Sequence, residues 1–153
     1  KHVLRDISKL IESLPLDHVA LVGSSLGGFY ATYFVAKYAC LAVLINPAMQ
    51  PWQLFKDLFG IEQIPFKVTE SWTLDTDQLQ QLQSIANTRL NHADKILVLL
   101  QQGDEVLDYR QAQRYYSAAQ PSSLILTDMD GNHAMDDFEE KLPLVLEFLS
   151  AAL

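Results

Sequence analysis

The stretch LVGSSLGGFYATYFVAKY, residues 21–38, decides how the rest of the chain is read. An apolar run stops at a serine set between glycines and then resumes with helical spacing, the pattern of a strand that turns directly into a helix. Two readings fit. Ser25 is either part of a well-packed connection or a nucleophile on a strained turn. GSSLG, residues 23–27, matches G-x-S-x-G, and with Gly and Ser both common that bare pattern arises by chance in roughly one chain of this length in twenty. Its place adds weight, since it directly follows a buried strand and directly precedes a helix. A nucleophile elbow needs a strained serine backbone and small residues two before and two after it, where strand and helix nearly touch. Gly23 and Gly27 meet that need, and Gly28 allows closer packing. The turn also sets Ser25 at a helix N-terminus, where free N–H groups, beginning with that of Leu26, can stabilise an oxyanion.

Working outward, Val3, Leu4, Ile7, Leu10, Ile11 and Leu14 recur at spacings of three and four, which predicts an amphipathic helix ended by Pro15. HVALVG reads as a short strand, residues 26–39 as a helix, and LAVLIN, residues 41–46, as a second strand. Continuous apolar runs of this kind suit parallel strands covered on both faces. Pro51 is placed to start a short helix and Gly60 to end it. Residues 61–94, rich in Gln, Thr and Asp, show only a helical pattern around 75–90. KILVLLQ, residues 95–101, is a third strand, followed by a helix over 108–119, a fourth strand in SSLILTD and a final helix over 136–151, bent or restarted at Pro143. This order predicts an α/β fold, a mostly parallel sheet of about four strands flanked by helices, in a single domain over 1–153 with an inserted cap-like segment over 47–94.

A chain of 153 residues can bury a core without a disulfide staple or structural metal. Cys40, the only cysteine, excludes an internal disulfide and sits in an apolar context that suits packing and a reducing compartment. The formal charge of −8, from 19 acidic and 11 basic residues, argues against nucleic acid or an anionic membrane as partner. The apolar stretches fall well short of the ~20 residues that span a bilayer, and the start, KHVLRDISKL, lacks a signal-peptide core. The expectation is a soluble, cytoplasmic protein.

Ligands in such sheets gather where loops leave the carboxyl ends of the strands. Ser25, Asp104 and His133 each follow one of the predicted strands. A serine hydroxyl is a poor nucleophile until a base removes its proton, and the order Ser, then acid, then His is one in which serine hydrolases arrange a triad. His133 then takes the Ser25 proton and later protonates the leaving group, while Asp104 fixes the imidazole tautomer. Glu105 or Asp108 could serve as the acid instead, and Asp104 and Asp108 could each simply cap the next helix. His2, His18 and His92 read as ordinary surface residues. DMDGNH lacks the later Glu of a calcium loop and reads as a turn. No HxxxH, CxxC or GxGxxG pattern points to a metal or a nucleotide. Trp52, Phe55, Leu58 and Phe59 form an apolar helical face, either core packing or the wall of an acyl pocket.

GSSLGGFYAT, INPAMQPW, LLQQGDEVLDYRQA and GNHAMDDFE resemble, in order and spacing, the bacterial YqiA-type esterases of the α/β hydrolase superfamily. The resemblance spans nearly the whole chain and is weakest over 61–94. It implies a triad of Ser25, Asp104 and His133 and hydrolysis of short-to-medium acyl esters, or of acyl-CoA thioesters, without a cofactor. A non-catalytic binding module on the same fold is the alternative from another class. Family members begin with a strand and an LHGF-like loop that precede the helix opening this chain, and that loop supplies a second oxyanion N–H. One lost donor is worth about 2.7 to 4 kcal/mol in the transition state, and an unpaired strand edge invites aggregation. The comparison implies that these 153 residues are the C-terminal part of a complete esterase and are poorly active alone.

Overall fold

The computed structural model describes residues 2–60, 64–70, 72–86 and 89–151. The chain divides into two compact units, residues 1–49 with 88–153, and residues 50–87.

The larger unit is built on a four-stranded sheet whose strands lie side by side in chain order, with every neighbouring pair parallel. Its strands are β1 (Ala20–Ser24), β2 (Leu41–Ile45), β5 (Ile96–Gln101) and β6 (Leu124–Asp128). The helices of this unit are α1 (His2–Glu12), α2 (Leu26–Tyr38), α5 (Tyr109–Ala118) and α6 (Phe138–Ala151). The α/β reading of the sequence is thus the observed one. β2 and β5 are buried along their whole length. The two outer strands are more open, and Val22 on β1 is 59% exposed. Coverage on both faces therefore holds for the central pair and not for the outer strands.

Successive residues of the central strands point to opposite faces, and the core divides accordingly. Ala42, Leu44, Ile96, Val98 and Leu100 pack with Phe34, Val35, Ala112 and Tyr116 on one face. Val43, Ile45, Leu97 and Leu99 pack with Met135 and Val145 on the other. Cys40 belongs to the first cluster at 1% exposure, and its burial pushes the thiol pKa up. Tyr116 and Thr32 join hydroxyls at 2.7 Å inside the same cluster, and Thr32 Oγ1 also donates to the Gly28 carbonyl at 2.8 Å. One final helix runs through Pro143 without restarting, beginning at Phe138 rather than near Asp136. Just before it, Met135 stands at φ 54°, outside helical geometry.

The smaller unit holds α3 (Pro51–Phe59), β3 (Phe66–Lys67), β4 (Thr73–Leu74) and α4 (Thr76–Ser84). Pro51 opens α3 and Gly60 closes it at φ 75°, as their residue types suggested. Phe59 stacks on Phe55 and, with centroids 4.1 Å apart, on Phe66. Asp75 caps α4 by accepting from the Gln78 N–H at 2.8 Å. That cap sets the helix start, but the helix ends at Ser84, short of the 75–90 span expected; residues 87 and 88 of that span lie outside the described ones. β3 and β4 pair antiparallel over two residues each, too short to carry an alternating pattern, and sequence reading missed them.

Candidate active site

All four strands of the larger sheet run the same way, so their carboxyl ends share one edge. Ser25 lies there, between β1 and α2, with φ 51° and ψ −115°. A positive φ is unfavourable for a residue with a Cβ, so the turn holds the serine strained. Bonds at both of its backbone groups maintain it: the Ser25 N–H donates to the Ile45 carbonyl at 2.9 Å, and the Ser25 carbonyl accepts from Gly28 and Ala48, each at 3.0 Å. A Cβ on Gly23 would run into the Gly27 carbonyl, and one on Gly28 would stand 2.7 Å from Pro47 Cβ. A Cβ on Gly27 would meet nothing. The need for small residues therefore falls on positions 23 and 28 and not on 27, because it is the backbone of Gly27, not its Cα hydrogen, that crowds the strand.

The Ser25 side chain does not cap α2. Among the described residues its hydroxyl makes no hydrogen bond, to His133 or otherwise, and the Leu26 N–H has no acceptor. Both groups are thus uncommitted at the start of a 13-residue helix, where the helix dipole favours negative charge.

Asp104 and His133 come together. His133 Nδ1 stands 2.9 Å from Asp104 Oδ2 and 3.0 Å from Oδ1, with the carboxylate side chain 1% exposed and the imidazole 21%. An ionised carboxylate only accepts, so Nδ1 carries the hydrogen and Nε2 is left with its lone pair. Asp104 Oδ1 also accepts from the N–H groups of Val106 and Leu107, at 2.8 and 2.9 Å, which fixes the carboxylate in its loop. Asp108 is engaged elsewhere, capping α5 through the Arg110 N–H at 3.0 Å. Glu105 meets His133 at the backbone instead of the ring, accepting its N–H at 2.9 Å. His18 and His92 are exposed, and the side chain of His2 lies outside what the structure describes. Among the described residues no group of His, Cys, Asp and Glu is disposed to hold a metal ion, and no helix is long and apolar enough to cross a membrane.

Several residues of this edge were not singled out in the sequence. Asn46 and Gln101 are polar side chains that close the apolar runs of β2 and β5, a signal available to sequence reading. Both are buried. Asn46 Nδ2 donates to the carbonyls of Asn132 and His133, each at 3.1 Å. Gln101 accepts the Asn132 N–H at 2.8 Å and donates to Asp137, which pairs with Lys141 at 3.1 Å.

The carboxyl of Glu105 is held below its ordinary pKa chiefly by the His133 N–H, and that of Asp137 chiefly by Lys141 and then by Gln101. With both folded values depressed, the stability these groups contribute is complete above the unfolded carboxylate pKa and is lost as pH falls through the folded ones. The backbone amides of Asn132 and His133 should therefore lose hydrogen-exchange protection in acid, after correction for intrinsic rates, before the central strands do. Equal persistence of both would show that these carboxylates do not secure the loop.

Residues 1–150 match an uncharacterised protein family, UPF0227. The chain is 24% identical over 148 residues to the UPF0227 protein YcfP of Salmonella arizonae, covering 97% of this chain and 74% of that one. Among solved structures it is similar to a putative hydrolase from Agrobacterium vitis S4, with a TM-score of 0.74 at 16% identity over 95% of this chain and 67% of that one. It is also similar to the carboxylesterase CesB (YbfK) of Bacillus subtilis, with a TM-score of 0.60 at 17% identity over 96% of this chain and 65% of that one. The fold is therefore that of the α/β hydrolases, and the chain spans about two thirds of the length of those structures.

Proposed function

The chain belongs to the protein family UPF0227, and from that membership together with the site geometry we propose that it is the part of a serine ester hydrolase that carries the triad Ser25, His133 and Asp104. The observation that carries the reading is the buried Asp104 carboxylate on His133 Nδ1, at the sheet edge where Ser25 sits on a strained turn. The esterases among proteins of similar fold support ester chemistry.

Ser25 Oγ attacks the acyl carbon while His133 Nε2 accepts its proton. The carbonyl oxygen becomes an oxyanion facing the Leu26 N–H at the head of α2. Collapse of the tetrahedral species breaks the bond to the leaving group, which takes the proton from His133, and an acyl-serine remains. Water then repeats the sequence, giving its proton to His133 and releasing the acid and free Ser25. Asp104 stays ionised, holding the hydrogen on Nδ1 and steadying the imidazolium. Short-to-medium acyl groups are the proposed substrates, small molecules that need no cofactor. Acyl-CoA thioesters are the variant within the same chemistry, separable by comparing each thioester with its matched oxygen ester. A cytoplasmic setting is proposed with it.

The test is a fluorophosphonate probe applied to the full-length protein. Labelling of Ser25, found by peptide mapping, is the expected result. A folded protein that takes up no probe would defeat the reading.

A further inference from the structure

Asn46 stands at an unusual junction. It follows β2 directly, its backbone has φ 40°, and it is 2% exposed. Its N–H donates to the Leu99 carbonyl at 3.0 Å, tying it to the end of β5. Its side chain makes three further bonds, all to backbone. Oδ1 accepts the Gln101 N–H at 3.0 Å, and Nδ2 spends its two hydrogens on the carbonyls of Asn132 and His133. These partners fix the orientation of the amide, because two carbonyls can face only the NH₂ and an N–H only the oxygen.

The residue before Asn46 holds the other half of the proposed machinery, since the Ile45 carbonyl accepts the Ser25 N–H at 2.9 Å. The loop bearing His133 is then held from three sides: at the His133 carbonyl by Asn46, at the His133 N–H by Glu105, and at the Asn132 N–H by the fully buried Gln101. Gly131, at φ 91°, lies so close over the Gln101 amide that a Cβ there would overlap it.

We propose that Asn46 is the positioning residue for His133: its side-chain amide fixes the carbonyls of Asn132 and His133 to the end of β2, and so sets the imidazole relative to the serine that the neighbouring Ile45 carbonyl holds. The inference rests on the hydrolase reading above, and Asn46 touches no substrate. Only an amide serves at this position. An aspartate has the same shape and keeps the bond from the Gln101 N–H, but it turns a second oxygen toward two carbonyl oxygens and pushes the loop away. A displacement on the order of 1 Å costs about 10²-fold in rate when reacting groups must meet in one geometry.

The experiment compares wild type, Asn46→Asp and Asn46→Ser in the full-length protein, with Ser25→Ala as control. Each is measured for kcat and KM on p-nitrophenyl acetate, for the rate of fluorophosphonate labelling, and for the downfield NMR resonance of the His133 Nδ1 proton. N46D is expected to lower kcat and labelling by about 10²-fold with KM within about twofold, and to shift or broaden the Nδ1 resonance. N46S, whose shorter side chain gives up both carbonyl bonds without turning an oxygen against them, should fall between. If N46D does not fold, N46S carries the comparison. A folded variant with wild-type kcat, labelling rate and resonance overturns the inference, and unfolding of both variants overturns it in favour of a purely stabilising role. Failure of the hydrolase reading looks different: wild type then turns over no faster than S25A. The resonance still reports in that case, and an unmoved signal in N46D would overturn the positioning role by itself.

Discussion

Ser25→Ala in the full-length protein is expected to lower kcat for a short p-nitrophenyl ester by up to about 10⁶-fold, the scale seen when the nucleophile of a serine hydrolase is removed. The expectation is specific because the substitution takes away little else. The serine hydroxyl makes no hydrogen bond among the described residues, and alanine faces the same cost at φ 51° as serine does. The N–H and carbonyl that hold the turn belong to the backbone and survive. Thermal stability should therefore stay close to that of the wild type, KM should change little, and fluorophosphonate labelling should vanish. His133→Ala should remove a comparable amount of activity, and the double variant should lose little more, since residues that act as a unit are not additive. Retained turnover in folded S25A would mean that another group carries the reaction.

Asp104→Asn is the second large effect, with kcat falling by about 10⁴-fold. Asparagine is the informative replacement because Asp104 has two kinds of partner. The Val106 and Leu107 N–H groups meet its Oδ1, and asparagine can keep both of those bonds. The imidazole needs an acceptor on Nδ1, and an NH₂ turned toward it makes Nδ1 accept instead, moving the hydrogen to Nε2. The ring then has no lone pair to offer Ser25. The loop should keep its shape, so melting temperature and KM should move much less than kcat. Asp104→Ala would confuse the two roles, because it abolishes the loop bonds as well. A D104N protein with near-normal kcat would assign the acid to a neighbour, and Glu105→Gln would then become the variant to measure.

Most of the larger unit was legible because burial on both faces leaves a plain trace. LAVLI and ILVLL are continuous apolar runs that suit buried parallel strands, and GSSLGG marks the turn by glycines whose neighbours leave no room for a Cβ at two positions. Ser25, Asp104 and His133 could be singled out as candidates from their places after strands, since a parallel sheet gathers those places on one edge. Bond-by-bond detail was less accessible. Pattern alone cannot tell Gly27 from Gly28, and Glu105 was an alternative acid in the sequence yet lies against the His133 backbone. The hairpin of Phe66–Lys67 with Thr73–Leu74 left no signal, because two residues make no period. Asn46 and Gln101 were passed over for a different reason: a polar residue ending an apolar run looks like the start of a loop, and only their partners, 86 and 31 positions further along at Asn132, show otherwise.

The bonds from Ser25 to Ile45 and from His133 to Asn46 give the serine turn and the histidine loop one anchor in common. Movement of the end of β2 should then be largely common-mode, carrying the serine turn and the histidine loop together. Breathing of the sheet edge should accordingly blur their separation less than it would between two wholly independent anchors.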